Sequence, residues 1–551
     1  MTAQGAIASI DPRTVKGIRP WPHPLTASLF ARPTHDGRRH VASRHPHRRE
    51  GRRASDRRIG IRLGDVSRRC TPVARVLRTM SRLVVVSNRV AIPNEHGAGG
   101  LASGVMAALR DSGGIWFGWN GRVVATLADE VNTQTDGNVT YATLGLTQRD
   151  FTDYYSGFAN RTLWPLFHFR PSLVDFTRST YEAYVRVNAH FAERLAPLLR
   201  PGDLVWIHDY HLIPLGAALR RLGVLSRIGF FLHTPFPPSE LLVTLPVHRE
   251  LFEALLAYDL VGFQTESYLK AFREYIVGEA NGEINERGVI SIRGGRHSVR
   301  AGVFPIGIDV DRTAEQAAAA GELEPVRALK ASIGSRALII GVDRLDYSKG
   351  LPERFKAYAE LLDKETSLRR SVILLQIAPP SRSEVPEYRR LRRQLERLAG
   401  SINGKLADAD WSPIRYVNKT YRPDVLSGCY RHARVGLVTP LRDGMNLVAK
   451  EYVACQNPRD PGVLVLFRFA GAANDLRGAL LVNPNDIEAT ARTLNAALDM
   501  SLGDRRLRWE ESMAALRRQD VTAWRTRFIR ALAQTSGSEE QDYSDVSLPR
   551  N

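Results

Sequence analysis

Two cations five residues apart, Arg344 and Lys349, follow an apolar run, Ala337-Leu338-Ile339-Ile340-Gly341-Val342. A guanidinium binds phosphate as a fork and an ammonium as a point charge, so the pair suits a diphosphate. A second apolar run, Val435-Gly436-Leu437-Val438-Thr439, leads into Pro440-Leu441-Arg442-Asp443-Gly444-Met445-Asn446 and then Leu447-Val448-Ala449-Lys450-Glu451. Asn446 can cap a helix beginning at Leu447, whose start offers free N–H groups and a positive dipole end to an anion. Asp443 stands where a carboxylate could hold sugar hydroxyls. Glu451, about one turn inside the helix, can reach a ribose diol. The plainer alternative is an ordinary αβ connection with a solvated Asp and Glu.

Polar groups also close two other apolar runs. Asp203-Leu204-Val205-Trp206-Ile207 ends in His208-Asp209-Tyr210-His211, and Ile228-Gly229-Phe230-Phe231-Leu232 ends at His233. Groups at the carboxyl end of a parallel strand point into the crevice where open α/β sheets bind ligands. The H-x-x-H spacing suggests metal ligands, yet no matching carboxylate helix accompanies it, and no metal is expected. Tyr154-Tyr155 and Trp164-Pro165-Leu166-Phe167-His168 interrupt an otherwise polar loop with large rings suited to sugar faces. Trp116, Phe117 and Trp119 read as core. Gly97-Ala98-Gly99-Gly100 resembles a Rossmann turn, but its spacing is not G-x-G-x-x-G, so it implies close backbone approach to a sugar or phosphate rather than a dinucleotide site.

These residues need strands to carry them. The runs are short, continuous and apolar, the mark of parallel strands buried on both faces, and they alternate with helical stretches. A chain of 551 residues exceeds the size of one core, so two domains are expected, over 81–310 and 311–535. Residues 1–80 read as a disordered Arg-rich leader and 536–551 as a disordered tail. The net charge of +19 belongs largely to the leader, where 18 Arg and Lys face 5 Asp and Glu; the other 471 residues carry only +6. Nucleic acid is therefore not expected as a partner of the body, and a chain beginning at Met80 is expected to fold and turn over. Three cysteines at unrelated spacings suit a reducing compartment. No run of 18 apolar residues exists, so no membrane span is expected.

The run Arg344-Leu345-Asp346-Tyr347-Ser348-Lys349-Gly350, the run Asp443 to Glu451, His208-Asp209-Tyr210-His211 and Ser87-Asn88-Arg89 together resemble the trehalose-6-phosphate synthases. The likeness covers the chain from about Arg82 to about residue 530. It implies a GT-B fold, two Rossmann-like domains facing each other across a cleft. It implies retaining transfer of glucose from a nucleotide sugar to glucose 6-phosphate in trehalose biosynthesis, without a cofactor; the reducing compartment that the cysteines suit is the cytoplasm.

Residue by residue, the resemblance puts Arg344 and Lys349 on the donor diphosphate and Asp443 on donor glucose hydroxyls. The amides of Leu447 and Val448 cradle phosphate, with Ala449 and Lys450 in the same donor-binding stretch and Glu451 on the ribose. Gly99 and Gly100 approach the donor, His233 contacts its sugar, and Tyr421 stands at a base-contacting position. Arg89, Tyr155, Trp164, Asp209 and Arg382 form the acceptor site, with Arg89 and Arg382 on its phosphate. Asp209, His233, Arg344, Lys349 and Asp443 are the expected catalytic set. UDP-, ADP- and GDP-glucose all stay open as donor, and a homo-oligomer is compatible with the sequence. Two alternatives accompany this reading: a GT-B transferase with another acceptor, or a regulatory nucleic-acid-binding protein on the same scaffold.

Overall fold

The computed structural model describes residues 81–92, 100–126, 130–292, 297–382 and 384–535. The expected leader over 1–80, Gly99 and the tail over 536–551 lie outside the described residues.

The first half supplies strands β1 (Leu83–Arg89), β2 (Gly114–Val124), β3 (Asn132–Asp136), β4 (Val139–Thr147) and β5 (Leu204–His208). They are followed by β6 (Arg227–Phe231), β7 (Leu260–Phe263), β8 (Gly282–Ile284), β9 (Val289–Ile292) and β10 (Ser298–Val303). All ten form one sheet in the order β3-β4-β2-β1-β5-β6-β7-β10-β9-β8. From β4 to β10 the pairing is parallel, and β3, β9 and β8 add antiparallel margins.

The second half supplies β11 (Ala337–Val342), β12 (Val372–Ile377), β13 (Ile414–Val417), β14 (Val435–Val438), β15 (Val463–Phe467) and β16 (Leu480–Val482). These pair in parallel in the order β13-β12-β11-β14-β15-β16. Counted from β11, that is the doubly wound order 3-2-1-4-5-6. The parallel centre of the first sheet, β4-β2-β1-β5-β6-β7, repeats it. In each sheet the chain winds away on both sides of one strand pair: β1 beside β5, and β11 beside β14. The crevice beyond the carboxyl ends of those pairs is the place where such sheets bind ligands.

The central strands are as apolar as their burial demands. β5, β12, β14 and β15 are buried at every residue. Beneath the second switch point lies a polar knot. Arg354, wholly buried, donates to Asp343 at 2.7 Å, Gln376 at 2.6 Å and Thr439 at 2.9 Å. Its partners come from the ends of β11, β12 and β14, so one guanidinium fixes three strand ends against each other. A buried charge so paired avoids the cost of an unpaired one.

The last helix departs from the expected division at 311–535. Val521–Ala533 leaves the second half and packs on the first sheet: Trp524 and Phe528 lie 4.9 and 4.8 Å from Trp206, ring centre to ring centre. Its apolar face gives no sign in the sequence of which sheet it will cover.

Candidate active site

The loop after β11 carries Asp343 to Gly350. Gly350 adopts a left-handed conformation, φ 60° and ψ 34°, and a Cβ there would lie 2.2 Å from the Thr439 carbonyl oxygen. Only glycine lets this turn lie so close to β14. The turn places Lys349 against the loop after β14, where its ammonium donates to the Asp443 carboxylate. Burial works to raise the Asp443 pKa, but Lys349 and an Asn446 Nδ2 bond of 3.1 Å hold it below the ordinary value. Asn446 also caps the helix Leu447–Cys455 as its side-chain chemistry predicts, accepting from the Ala449 N–H at 3.0 Å with φ 79°. The expected diphosphate cation and the expected sugar-binding carboxylate therefore meet at the switch point.

Gly444 lies against the other domain. A Cβ on it would come within 1.8 Å of the His233 carbonyl oxygen, and the Asp443 carbonyl accepts from Tyr268 Oη at 3.0 Å. The loop after β14 is thus seated on the strand ends of the first sheet. Arg344 is exposed, with its guanidinium carbon 5.6 Å from the Trp164 ring centre. Leu447 and Val448 are half-buried at the helix start. Tyr421 is half-buried against the core beside the second sheet. Gly100 opens the helix Gly100–Ser112.

Lys450 and Glu451 part company. The Lys450 ammonium is buried and donates to Asp475 at 2.9 Å and to the Ile306 carbonyl at 2.8 Å. Its side chain ties the helix Leu447–Cys455 to the first domain, so of the expected donor-binding role only its backbone is left to serve. No hydrogen bond reaches the Glu451 carboxylate among the described residues, and burial pushes its pKa up to about 7. A desolvated carboxylate without partners is a ready acceptor for ribose hydroxyls.

Burial of this carboxyl makes stability depend on pH. The folded protein holds the Glu451 proton more tightly than the unfolded chain, whose ordinary value is 4.5. This group's contribution to stability is therefore best at low pH and is lost as pH rises from about 4.5 to about 7. Glu451→Gln should raise the Tm by a few degrees at pH 8, by less at pH 5, and weaken nucleotide binding. A Tm difference that does not change with pH would contradict the assignment.

On the facing side, Asp209 follows β5 with φ 75°, a strained conformation for a residue with a Cβ. Its carboxylate accepts from the His233 N–H at 3.2 Å; burial lifts its pKa to about 6, against the pull of that and neighbouring N–H groups. His233 and His208 face each other at 3.1 Å through Nε2 and Nδ1, and burial lowers His233 to about 3, which keeps it neutral. His211 stacks on Tyr155, with planes 13° apart, and packs on Tyr210 at 4.0 Å. Both histidines of the H-x-x-H run are thus engaged with neighbouring rings.

Arg89, exposed at the end of β1, lies over Trp119 with its guanidinium carbon 5.9 Å from the ring centre. Gly121 leaves it room, since a Cβ there would sit 2.7 Å from Nη2. Tyr155 belongs to a π-helix, Phe151–Leu163, where a polar loop was expected. Its wider winding puts Tyr155 between Trp119 and His211, 5.5 and 5.8 Å away. Trp164 follows, and Arg382 lies 4.0 Å from its ring centre.

Arg382 is held by residues that spacing did not single out. It donates to Tyr388 Oη at 2.6 Å and to Tyr210 Oη at 3.2 Å, and it pairs with Asp346 at 3.4 Å. Tyr210, Asp346 and Tyr388 are site residues to which the sequence assigned no role, and Trp119, expected as core, also lies under Arg89. Asn446 had a local signal, since its side-chain oxygen accepts from the N–H three residues on.

The loops after β11, β12 and β14 thus bring a cation–carboxylate pair, a helix start and Arg382 against the strand ends of the first sheet, where Arg89 and Asp209 lie near aromatic rings. A glycosyltransferase family 20 model matches residues 73–534. The trehalose-6-phosphate synthase of Sinorhizobium fredii is 49% identical over 464 residues, 83% of this chain and 99% of that protein. The crystal structure of an α,α-trehalose-phosphate synthase (UDP-forming) from Burkholderia xenovorans in complex with glucose-6-phosphate is 52% identical, with a TM-score of 0.79, covering 82% of this chain and all of that one. An E. coli structure bound with UDP-2-fluoro glucose is 46% identical, with a TM-score of 0.80, covering 83% of this chain and all of that one. The chain belongs to glycosyltransferase family 20 and is a glycosyltransferase of the GT-B fold.

Proposed function

We propose that the cleft transfers glucose from UDP-glucose to glucose 6-phosphate, giving α,α-trehalose 6-phosphate and UDP with retention at the donor's anomeric carbon. The observation that carries this reading is the meeting of two switch points with two sets of cations: Lys349 and Arg344 after β11, and Arg89 and Arg382 beside aromatic rings of the first domain. Two anionic substrates need two such places. A transferase with an uncharged acceptor has no use for the second.

The donor diphosphate takes Arg344, Lys349 and the amides of Leu447 and Val448. Asp443 turns to glucose hydroxyls once the phosphate draws Lys349, and Glu451 accepts from the ribose. Negative charge grows on the leaving phosphate as the glycosidic bond breaks, and fixed cations stabilise it more in the transition state than before it. Asp209 accepts backbone N–H groups and Asp443, on this reading, holds donor glucose hydroxyls, so neither is assigned the part of a covalent nucleophile. Attack from the leaving-group face, with the departing phosphate taking the acceptor's proton, fits that arrangement. Trapping a glucosyl ester on either carboxylate would contradict it.

UDP is favoured over ADP and GDP because the Burkholderia xenovorans relative is UDP-forming and the E. coli relative binds a UDP sugar. A cytoplasmic reaction fits Cys429 and Cys455, which are free and buried. No described helix is long and apolar enough to cross a membrane. The test is turnover with UDP-, ADP- and GDP-glucose in turn, with the product's anomeric configuration read by NMR. Preference for UDP-glucose and an α,α product are expected; a β linkage would overturn retention.

A further inference from the structure

Asp346 is a buried carboxylate, 0% exposed, with more donors on it than its own turn requires. Oδ1 accepts from the Ser348 N–H and the Ser348 hydroxyl, both at 2.9 Å, and those two bonds are enough to cap the turn Tyr347–Lys349. Three further donors come from distant segments: Trp164 Nε1 to Oδ1 at 3.4 Å, and Tyr388 Oη at 3.0 Å and Arg382 Nη1 at 3.4 Å to Oδ2. Burial alone would raise its pKa; Arg382, Arg344 and the other donors bring it down to about 2, so it is ionised throughout the working range.

The Tyr388 hydroxyl accepts from Arg382 and donates to Asp346, so it relays the carboxylate's charge to the guanidinium. Arg382 is thereby fixed along one edge by Tyr388, Asp346 and Tyr210, and on one face by the Trp164 ring. Its Nε–H and one Nη2 hydrogen carry no bond among the described residues. That pair is the fork that engages two phosphate oxygens at once. The backbone of Arg382 has φ 47°, a conformation that persists only when its surroundings over-determine it.

We infer that Asp346 is a positioning residue for acceptor specificity: it holds Arg382 and Trp164 so that the open edge of the guanidinium faces the acceptor's phosphate. It lies three residues before Lys349, so one anchored turn also sets the spacing between acceptor phosphate and donor diphosphate. The inference rests on the reading of Arg382 as the acceptor-phosphate ligand.

The test is a double-mutant cycle in the full chain, reading kcat/KM for glucose 6-phosphate at saturating UDP-glucose. Asp346→Asn should lower it about tenfold or more in the unaltered background and less than about twofold in the Arg382→Ala background, because the carboxylate acts through that arginine. UDP affinity by calorimetry should be unchanged. Tyr388→Phe removes only the relay and should show the same background dependence with a loss of about threefold; it carries the test if Asp346→Asn does not fold. Equal losses in both backgrounds would overturn the positioning role while leaving the acceptor reading intact. Turnover of the unaltered chain that does not depend on glucose 6-phosphate would overturn both.

Discussion

Lys349→Ala should lower kcat by on the order of a hundred- to a thousandfold, the effect of removing one pre-placed charge from a developing anion. The affinity for UDP should fall far less. Lys349 is held in place before any donor arrives, by the Gly350 turn and by its bond to Asp443, so little reorganisation is needed when charge grows on the leaving phosphate. The variant also strips Asp443 of its counter-charge, and its pKa should then rise toward or above the ordinary value. Lys349→Arg separates the two effects, since it keeps the charge but misplaces it in a pocket shaped for an ammonium. Steady-state kinetics with calorimetry of UDP binding decide the matter. A raised KM with kcat intact would mean that the lysine binds ground and transition state alike.

Arg382→Ala should raise the KM for glucose 6-phosphate about ten- to a hundredfold, because a charge-assisted bond to phosphate contributes roughly 1.5–3 kcal/mol. UDP affinity should stay nearly the same. The protein should remain folded: Asp346 loses its nearest cation but keeps its bonds from Trp164, Tyr388 and Ser348, with the Arg344 charge still acting on it. Equal losses for both ligands, measured by calorimetry, would move Arg382 out of the acceptor site.

What the sequence disclosed and what it hid divide along the range of the interactions. Strands β11 and β14 were legible because a parallel strand buried on both faces must be apolar throughout, and their polar termini marked a crevice. Asn446 was legible because a cap acts three residues away. The partners of Arg382 were not, because Tyr210 is 172 residues distant and Asp346 is 36. Lys450 illustrates the same limit. A lysine one residue before Glu451 in a donor helix looks available, yet a carbonyl 144 residues away and Asp475 engage its ammonium. The π-helix around Tyr155 left no trace either, since its composition is that of a polar loop and its winding is set by packing.

Joining a nucleotide sugar to a phosphorylated acceptor releases UDP, and that release reports on the proposed reaction without any coupling step. With UDP-glucose as donor, release should be rapid with glucose 6-phosphate and lower by at least about a hundredfold in kcat/KM with glucose, which lacks the group proposed to bind Arg89 and Arg382. Equal rates with the two acceptors, or release that needs neither, would contradict the account.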